Sequence, residues 1–395
     1  METTTLINSP IGILATLSSI AAFFFWIEKK TQWKFFEYIP GILFIFLIPM
    51  IFSNTGIIPY KSTVYDFTTS MMLPTLIALM LLNVNVVSSV KVMGRGFFVL
   101  LFSILGIIIG APIGYGLVMW KLNPEAWRAF GAIAGGWIGG NANMAGVAEG
   151  LGTLPSDFGI AIFVDNMVGY VLWVPLLLAS RKFAAGFAKF TGVSDAQVAE
   201  LKERSSKLTE DKGRIQMMHI MIVLAVGFAI TWIAVMLSEL MPVLQPVMTT
   251  KTWMILFVTT LGICASFTPA RKVPGSQPLS MALLFIFIAV MGAKAHLSVG
   301  VASQTFWFTL GAIVWIIIHG GFCLLGAKLF KVSIHTAAIA SAAAVGGAAS
   351  APIVAAYHDE KLVPISILMA IVGYALGNYG AFLAAQICYW VSLMM

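Results

Sequence analysis

Two short runs, Gly139-Gly140-Asn141-Ala142-Asn143 and Gly346-Gly347-Ala348-Ala349-Ser350, stand 207 positions apart in a chain of 395 residues, and their reading decides its fold. Each sits inside a stretch, 126–150 and 334–357, that is long enough to enter a bilayer yet rich in Gly and Ala. Paired glycines there release the backbone from helical geometry. A break at membrane depth leaves N–H and C=O groups that hydrocarbon cannot satisfy. It persists only where protein, water, an ion or a solute meets it.

The rest of the sequence has the composition of a membrane protein. Charged residues make up 10%, hydrophobic ones 59%, and mean hydropathy is +0.95; soluble domains carry about 25% charged residues. Twelve apolar segments are expected, six per half. They lie at 9–26, 37–52, 66–88, 95–120, 126–150 and 156–180, then at 215–240, 250–268, 278–298, 303–329, 334–357 and 362–391. Residues 1–180 and 215–395 are thus two units, joined by a polar linker at 181–214 with eight basic and five acidic residues. The linker reads as solvated, with Ser194 a plausible cap if part of it is helical. The net charge of +7 falls mostly between apolar runs, where it reports topology and not nucleic-acid binding. Cys264, Cys323 and Cys388 lie inside apolar runs and read as small packing residues. The first ten residues lack the basic flank and cleavage site of a signal peptide.

The halves resemble each other. Besides the glycine runs, Val168-Gly169-Tyr170 matches Val372-Gly373-Tyr374, and Ser89-Val90 matches Ser298-Val299. Basic residues mark cytoplasmic loops: Lys29, Lys30 and Lys34 for the first, Lys91 and Arg95 for the third. Six crossings per half would put the basic linker outside. If the glycine-broken segment enters and returns, each half crosses five times. The linker then lies inside, with Arg271, Lys272, Lys328 and Lys331, and the second half is inverted. The expected architecture is all-α: about ten transmembrane helices as two inverted five-helix repeats, two re-entrant Gly-rich hairpins, and both termini outside the inner membrane.

Such repeats place a solute at the broken tips near the midplane. Substrate-binding candidates are Gly139, Gly140, Asn141, Asn143, Gly346, Gly347, Ser350 and Asn378. Asp165 stands deep in an apolar segment, where a carboxylate faces a cavity, a partner or an ion. It is the candidate for cation coupling, as a Na⁺ ligand or a proton carrier, with Asn166 and Glu149 beside it. Glu149 closes the first broken segment and either gates it or faces water. Lys294, which matches Asn85, reads as snorkelling, with a substrate carboxylate as the other possibility. His319 reads as a packed histidine, or else a proton relay. Tyr170 and Tyr374 read as packing residues whose hydroxyls reach the cavity. No cofactor is expected beyond Na⁺ as coupling ion.

The run GGNANMAGVAEGL at 139–151 and the run VGYALGNYG at 372–380 resemble the YjcL-like family of membrane proteins of unknown function. Gly346, Gly347 and Ala349 fit a third motif, with Ala348 standing where the family has Pro. That family is similar to the cation/proton antiporter and anion transporter superfamily, which includes glutamate:sodium symporters. The resemblance implies a homodimeric, elevator-type, Na⁺-coupled carrier of small organic anions such as carboxylates, amino acids or short peptides. The alternatives are a proton-coupled symporter, a cation:proton antiporter, or a non-transporting receptor or partner subunit. The lack of a nucleotide loop argues against an ATP-driven pump, and an intramembrane enzyme is disfavoured because no second deep aspartate or Gly-x-Ser-x-Gly elbow occurs.

Overall fold

A computed structural model describes residues 5–31, 33, 35–36, 40–82, 86–206, 214–296 and 300–394. Lys34, Asn85, Lys207, Lys212, Ser298 and Val299, used above, lie outside the described residues. Helices α1 (Pro10–Thr31), α2 (Gly41–Asn54) and α3 (Thr63–Leu81) come first, followed by α4 (Val86–Met93), α5 (Arg95–Val118), α6 (Ala126–Leu151) and α7 (Pro155–Thr191). After α8 (Asp195–Ser206) come α9 (Met217–Glu239), α10 (Thr250–Ala265), α11 (Ser276–Lys294), α12 (Val301–Leu329), α13 (Ile334–Val345), α14 (Gly347–His358) and α15 (Val363–Ser392). No strand occurs among the described residues.

Eight of these helices are long and apolar enough to cross a membrane. Their outer faces remain apolar where nothing covers them. On α9 only 28% of the most apolar window is buried, and Phe228, Trp232 and Met236 are exposed. Such a surface is stable against lipid and not against water. The protein is therefore a multi-pass membrane protein. Two departures from the sequence reading are local. The expected third segment at 66–88 ends at Leu81, and α4 starts separately. Within the linker α8 does form: Ser194 Oγ accepts from Gln197 N at 3.4 Å, and Ser194 N donates to Gln197 Oε1 at 3.0 Å.

The helices form two packed groups. One comprises α1, α2, α3, α9, α10 and α11; the other comprises α5, α6, α7, α12, α13, α14 and α15. In the second group α5 and α12 run antiparallel: Gly114 faces Gly311, Gly110 faces Trp315, and Gly106 faces His319. A Cβ at Gly114 would lie 2.5 Å from Gly311 O, so only glycine lets the two backbones approach this closely. Trp315 then reaches across to donate to Ile107 O at 2.8 Å.

Helix α6 doubles back on itself. Its first arm packs Gly131 on Ala385 and Gly139 on Gly377; its second packs Gly146 beside Asn378 and Gly150 on Phe382. The chain thus runs along α15 in one direction and returns in the other. Gly131 also touches Leu151, and Arg128 donates to Gly152 O at 3.2 Å, closing the two ends. Helices α13 and α14 are a second folded-back pair, closed where His335 meets His358. Along α15, Met369 shares Gly96 with Thr336 of α13, whereas Ala385 meets the start of α6. The two broken units therefore approach Tyr374 from opposite ends of α15.

Candidate functional site

Both breaks have one backbone shape. Gly139 has φ −134° and ψ 17°, and Gly346 has φ −120° and ψ 3°. The following glycines, Gly140 and Gly347, have φ of +72° and +56°, a region that side chains disfavour. Tyr374 lies against both. A Cβ at Gly140 would stand 3.1 Å from its Cε1, and one at Gly347 3.2 Å from the same atom. Hydrogen bonds fix the joint: Ala348 N donates to Tyr374 Oη at 3.2 Å, Asn143 Nδ2 to Tyr374 O at 2.9 Å, and Tyr170 Oη to Gly346 O at 3.2 Å. Ser350 Oγ donates back to Ala342 O at 3.0 Å, bracing the second break.

A cavity of about 750 Å³ opens on this joint. Asn141, Asn166, Tyr170, Ala349 and Ser350 line one wall, and Phe25, Glu28, Ile45, Met281 and Phe285 line the opposite one, which belongs to the other helix group. Asn141 and Ala349 stand in the first turns of the arms that follow the breaks, so two helix N-termini border the space. Glu28, which the sequence reading overlooked, accepts from Gly41 N at 3.1 Å and caps α2. Its partner is 13 positions away in another helix, so no local motif announced it.

Asp165 is buried at the head of a π-helical stretch, Asp165–Trp173, and its Oδ1 faces Trp137 Nε1 without an aligned hydrogen bond. Trp137 Nε1 is likewise without one. The two atoms flank one point: a Cβ at Gly169 would lie 3.6 Å from Trp137 Nε1 and 3.7 Å from Asp165 Oδ1. Asn143 Oδ1 and Asn378 Oδ1 are two more buried oxygens without donors. Orphan acceptors of this kind are uncommon in a folded interior and call for a cation, a water or a proton. The groups present are hard oxygen donors.

The other predicted residues fall as follows. Asn166 Nδ2 donates to Ile162 O at 2.7 Å, and Asn378 Nδ2 to Thr259 Oγ1 at 2.7 Å, one turn beyond Tyr374. Glu149 is not brought to the breaks. It lies nine residues past Gly140, about 13 Å along a helix, where it pairs with Lys251 of the other group. Lys294 ends α11 and does not line the cavity. His319 is fully engaged, with Nδ1 at 2.9 Å from Ser103 O and Nε2 at 2.8 Å from Ser341 Oγ, which also accepts from Trp173 Nε1 at 2.9 Å.

Comparison with known proteins agrees with this membrane architecture. A *Bacillus subtilis* (strain 168) protein described as "Uncharacterized membrane protein YjcL" is 26% identical over 364 residues, spanning 89% of this chain and 90% of the relative. The family described as "Protein of unknown function (DUF819)" matches residues 15–391, nearly the whole chain. The chain belongs to the DUF819 family of proteins of unknown function.

Proposed function

We infer that this chain is a secondary transporter that moves a small organic anion with Na⁺. One observation carries the reading: two glycine breaks meet at Tyr374 from opposite ends of α15 and open on one cavity. In this reading residues 1–180 and 215–395 are inverted five-helix repeats, and α6 and α13–α14 are re-entrant hairpins. The linker and the second hairpin's base face the cytoplasm. The α5–α7 and α12–α15 group slides against the other as an elevator, in a homodimer. No enzymatic role is assigned.

The N-termini at Asn141 and Ala349 would hold the carboxylate without a basic side chain. The facing wall, with Phe25, Met281 and Phe285, suits an apolar body. Glu28 on that wall disfavours a second carboxylate. Asp165 supplies the carboxylate oxygen for the cation. A proton is the second reading, favoured by Trp137 Nε1, because an N–H beside Asp165 cannot ligate Na⁺.

Thermal unfolding of the purified protein with NaCl or choline chloride tests the assignment. Ligands that bind only the folded state raise the melting temperature by mass action. Na⁺ should stabilise wild type and leave Asp165→Asn unchanged. A Na⁺ effect of equal size in both proteins removes Asp165 from the cation site. No Na⁺ effect, with an acid-dependent shift confined to wild type, moves the assignment to a proton.

A further inference from the structure

The far end of the second broken unit is closed by two histidines. His335 stands in the first turn of α13 and His358 ends α14, with their Nδ1 atoms 2.8 Å apart. His358 Nε2 lies 3.0 Å from Leu177 O in α7, and a carbonyl can only accept. His358 therefore carries its proton on Nε2 and presents a lone pair at Nδ1. His335 must donate from its own Nδ1. A proton added at His335 Nε2 leaves this hydrogen bond in place, but one added at His358 Nδ1 sets two N–H groups against each other, so the joint exists only while His358 is neutral.

The charges around the pair oppose that further proton. From α7, Arg181 stacks over Tyr357, its guanidinium 5.5 Å from the ring, and donates to Tyr357 O. From α8, Lys202 pairs with Asp359 at 2.7 Å. Asp359, which also accepts from Lys361 N at 3.0 Å, is the carboxylate that favours protonation of His335. Burial, then the neighbouring His358, Lys202 and Arg181, push His335 down to about 4, and burial lowers His358 as well.

We propose that His335 and His358 form an acid-sensitive clasp, in which a proton on His358 Nδ1 parts α13 from α14 while His358 stays bound to Leu177 of α7. The clasp stands on the geometry of the pair and not on the transport reading. Its sign follows from linkage: groups held below their unfolded value of about 6.5 stabilise the fold fully above that pH. The stabilisation is lost as pH falls toward 4. Opening should rise by up to about tenfold per pH unit as His358 protonates.

The test is thermal unfolding of the full-length protein from pH 8 to pH 5, for wild type, His335→Asn and Asp165→Asn. Asparagine keeps an N–H to donate to His358 but cannot titrate, so His335→Asn should lose about half as much stability over this range as wild type. Asp165→Asn should keep the full acid response, which separates failure of the clasp from failure of the coupling assignment. As a second readout on wild type, ¹⁵N spectra of histidine-labelled protein should show a hydrogen-bonded Nδ1 pair at pH 8 that is gone below pH 4. Equal acid sensitivity in wild type and His335→Asn, or a ¹⁵N pair unchanged below pH 4, overturns the proposal.

Discussion

Gly140 and Gly347, 207 residues apart, press on one atom of one ring: a Cβ on either would stand 3.1 or 3.2 Å from Tyr374 Cε1. The same backbone break thus occurs twice, and α15 holds both copies. Without Cβ atoms each glycine keeps a positive φ and lets the tyrosine fit between the arms.

Gly140→Ala and Gly347→Ala should each cost about 1–3 kcal/mol in backbone strain at positive φ, and more for the 3.1 and 3.2 Å approach of the new Cβ to Tyr374. Tyr374→Phe should cost about 1–3 kcal/mol by leaving Ala348 N–H without its acceptor. Gly56, also at positive φ but with open space around it, is the control. Gly56→Ala should pay the backbone strain alone, and denaturant or thermal unfolding reads the difference.

Glu149 is buried while its partner Lys251 is largely exposed, with side-chain exposures of 9% and 60%. The pair ties the two helix groups together, alongside Thr249 and Thr252, which both donate to Gly150 O at 3.0 Å. Lys251→Met strands a buried carboxylate and should cost about 1–2 kcal/mol. Glu149→Gln should cost less, because an amide needs no counter-charge. A double-mutant cycle on unfolding checks the order.

If Glu28 guards the apolar wall, succinate should not stabilise wild type, while a monocarboxylate of similar size should. In Glu28→Gln succinate should gain about tenfold in affinity relative to that monocarboxylate, and titration by thermal shift measures it. An unchanged ratio removes Glu28 from substrate selection.

The proposed inverted arrangement predicts that the two unit bases face opposite sides. With Cys264, Cys323 and Cys388 replaced, Leu154→Cys should react with an impermeant maleimide from outside intact cells, and Glu360→Cys only after lysis. Labelling of both from one side would contradict five crossings per half.

Much of this architecture was legible in the sequence, because lipid leaves a long apolar run few structures besides a helix. The twelve expected segments coincide with helices or helix pairs, and the doubled glycines at 139–140 and 346–347 fall at the breaks. What stayed hidden depends on contacts between distant positions. Glu149 looked like a member of the site until Lys251, 102 residues away, was found beside it. Trp137 carried no signal, since a tryptophan in an apolar run is ordinary until its N–H faces a carboxylate. His335 and His358 carried no signal either, and only the fold-back of α14 on α13 brings their rings together.

The central claim is coupled transport through Asp165, and uptake into proteoliposomes tests it most directly. Radiolabelled monocarboxylates would be supplied at pH 8, where little uncharged acid crosses unaided, with an inward Na⁺ gradient or with choline replacing Na⁺. The account predicts uptake above protein-free vesicles that requires the Na⁺ gradient and is lost in Asp165→Asn. Uptake that ignores the gradient, or persists in Asp165→Asn, would contradict it.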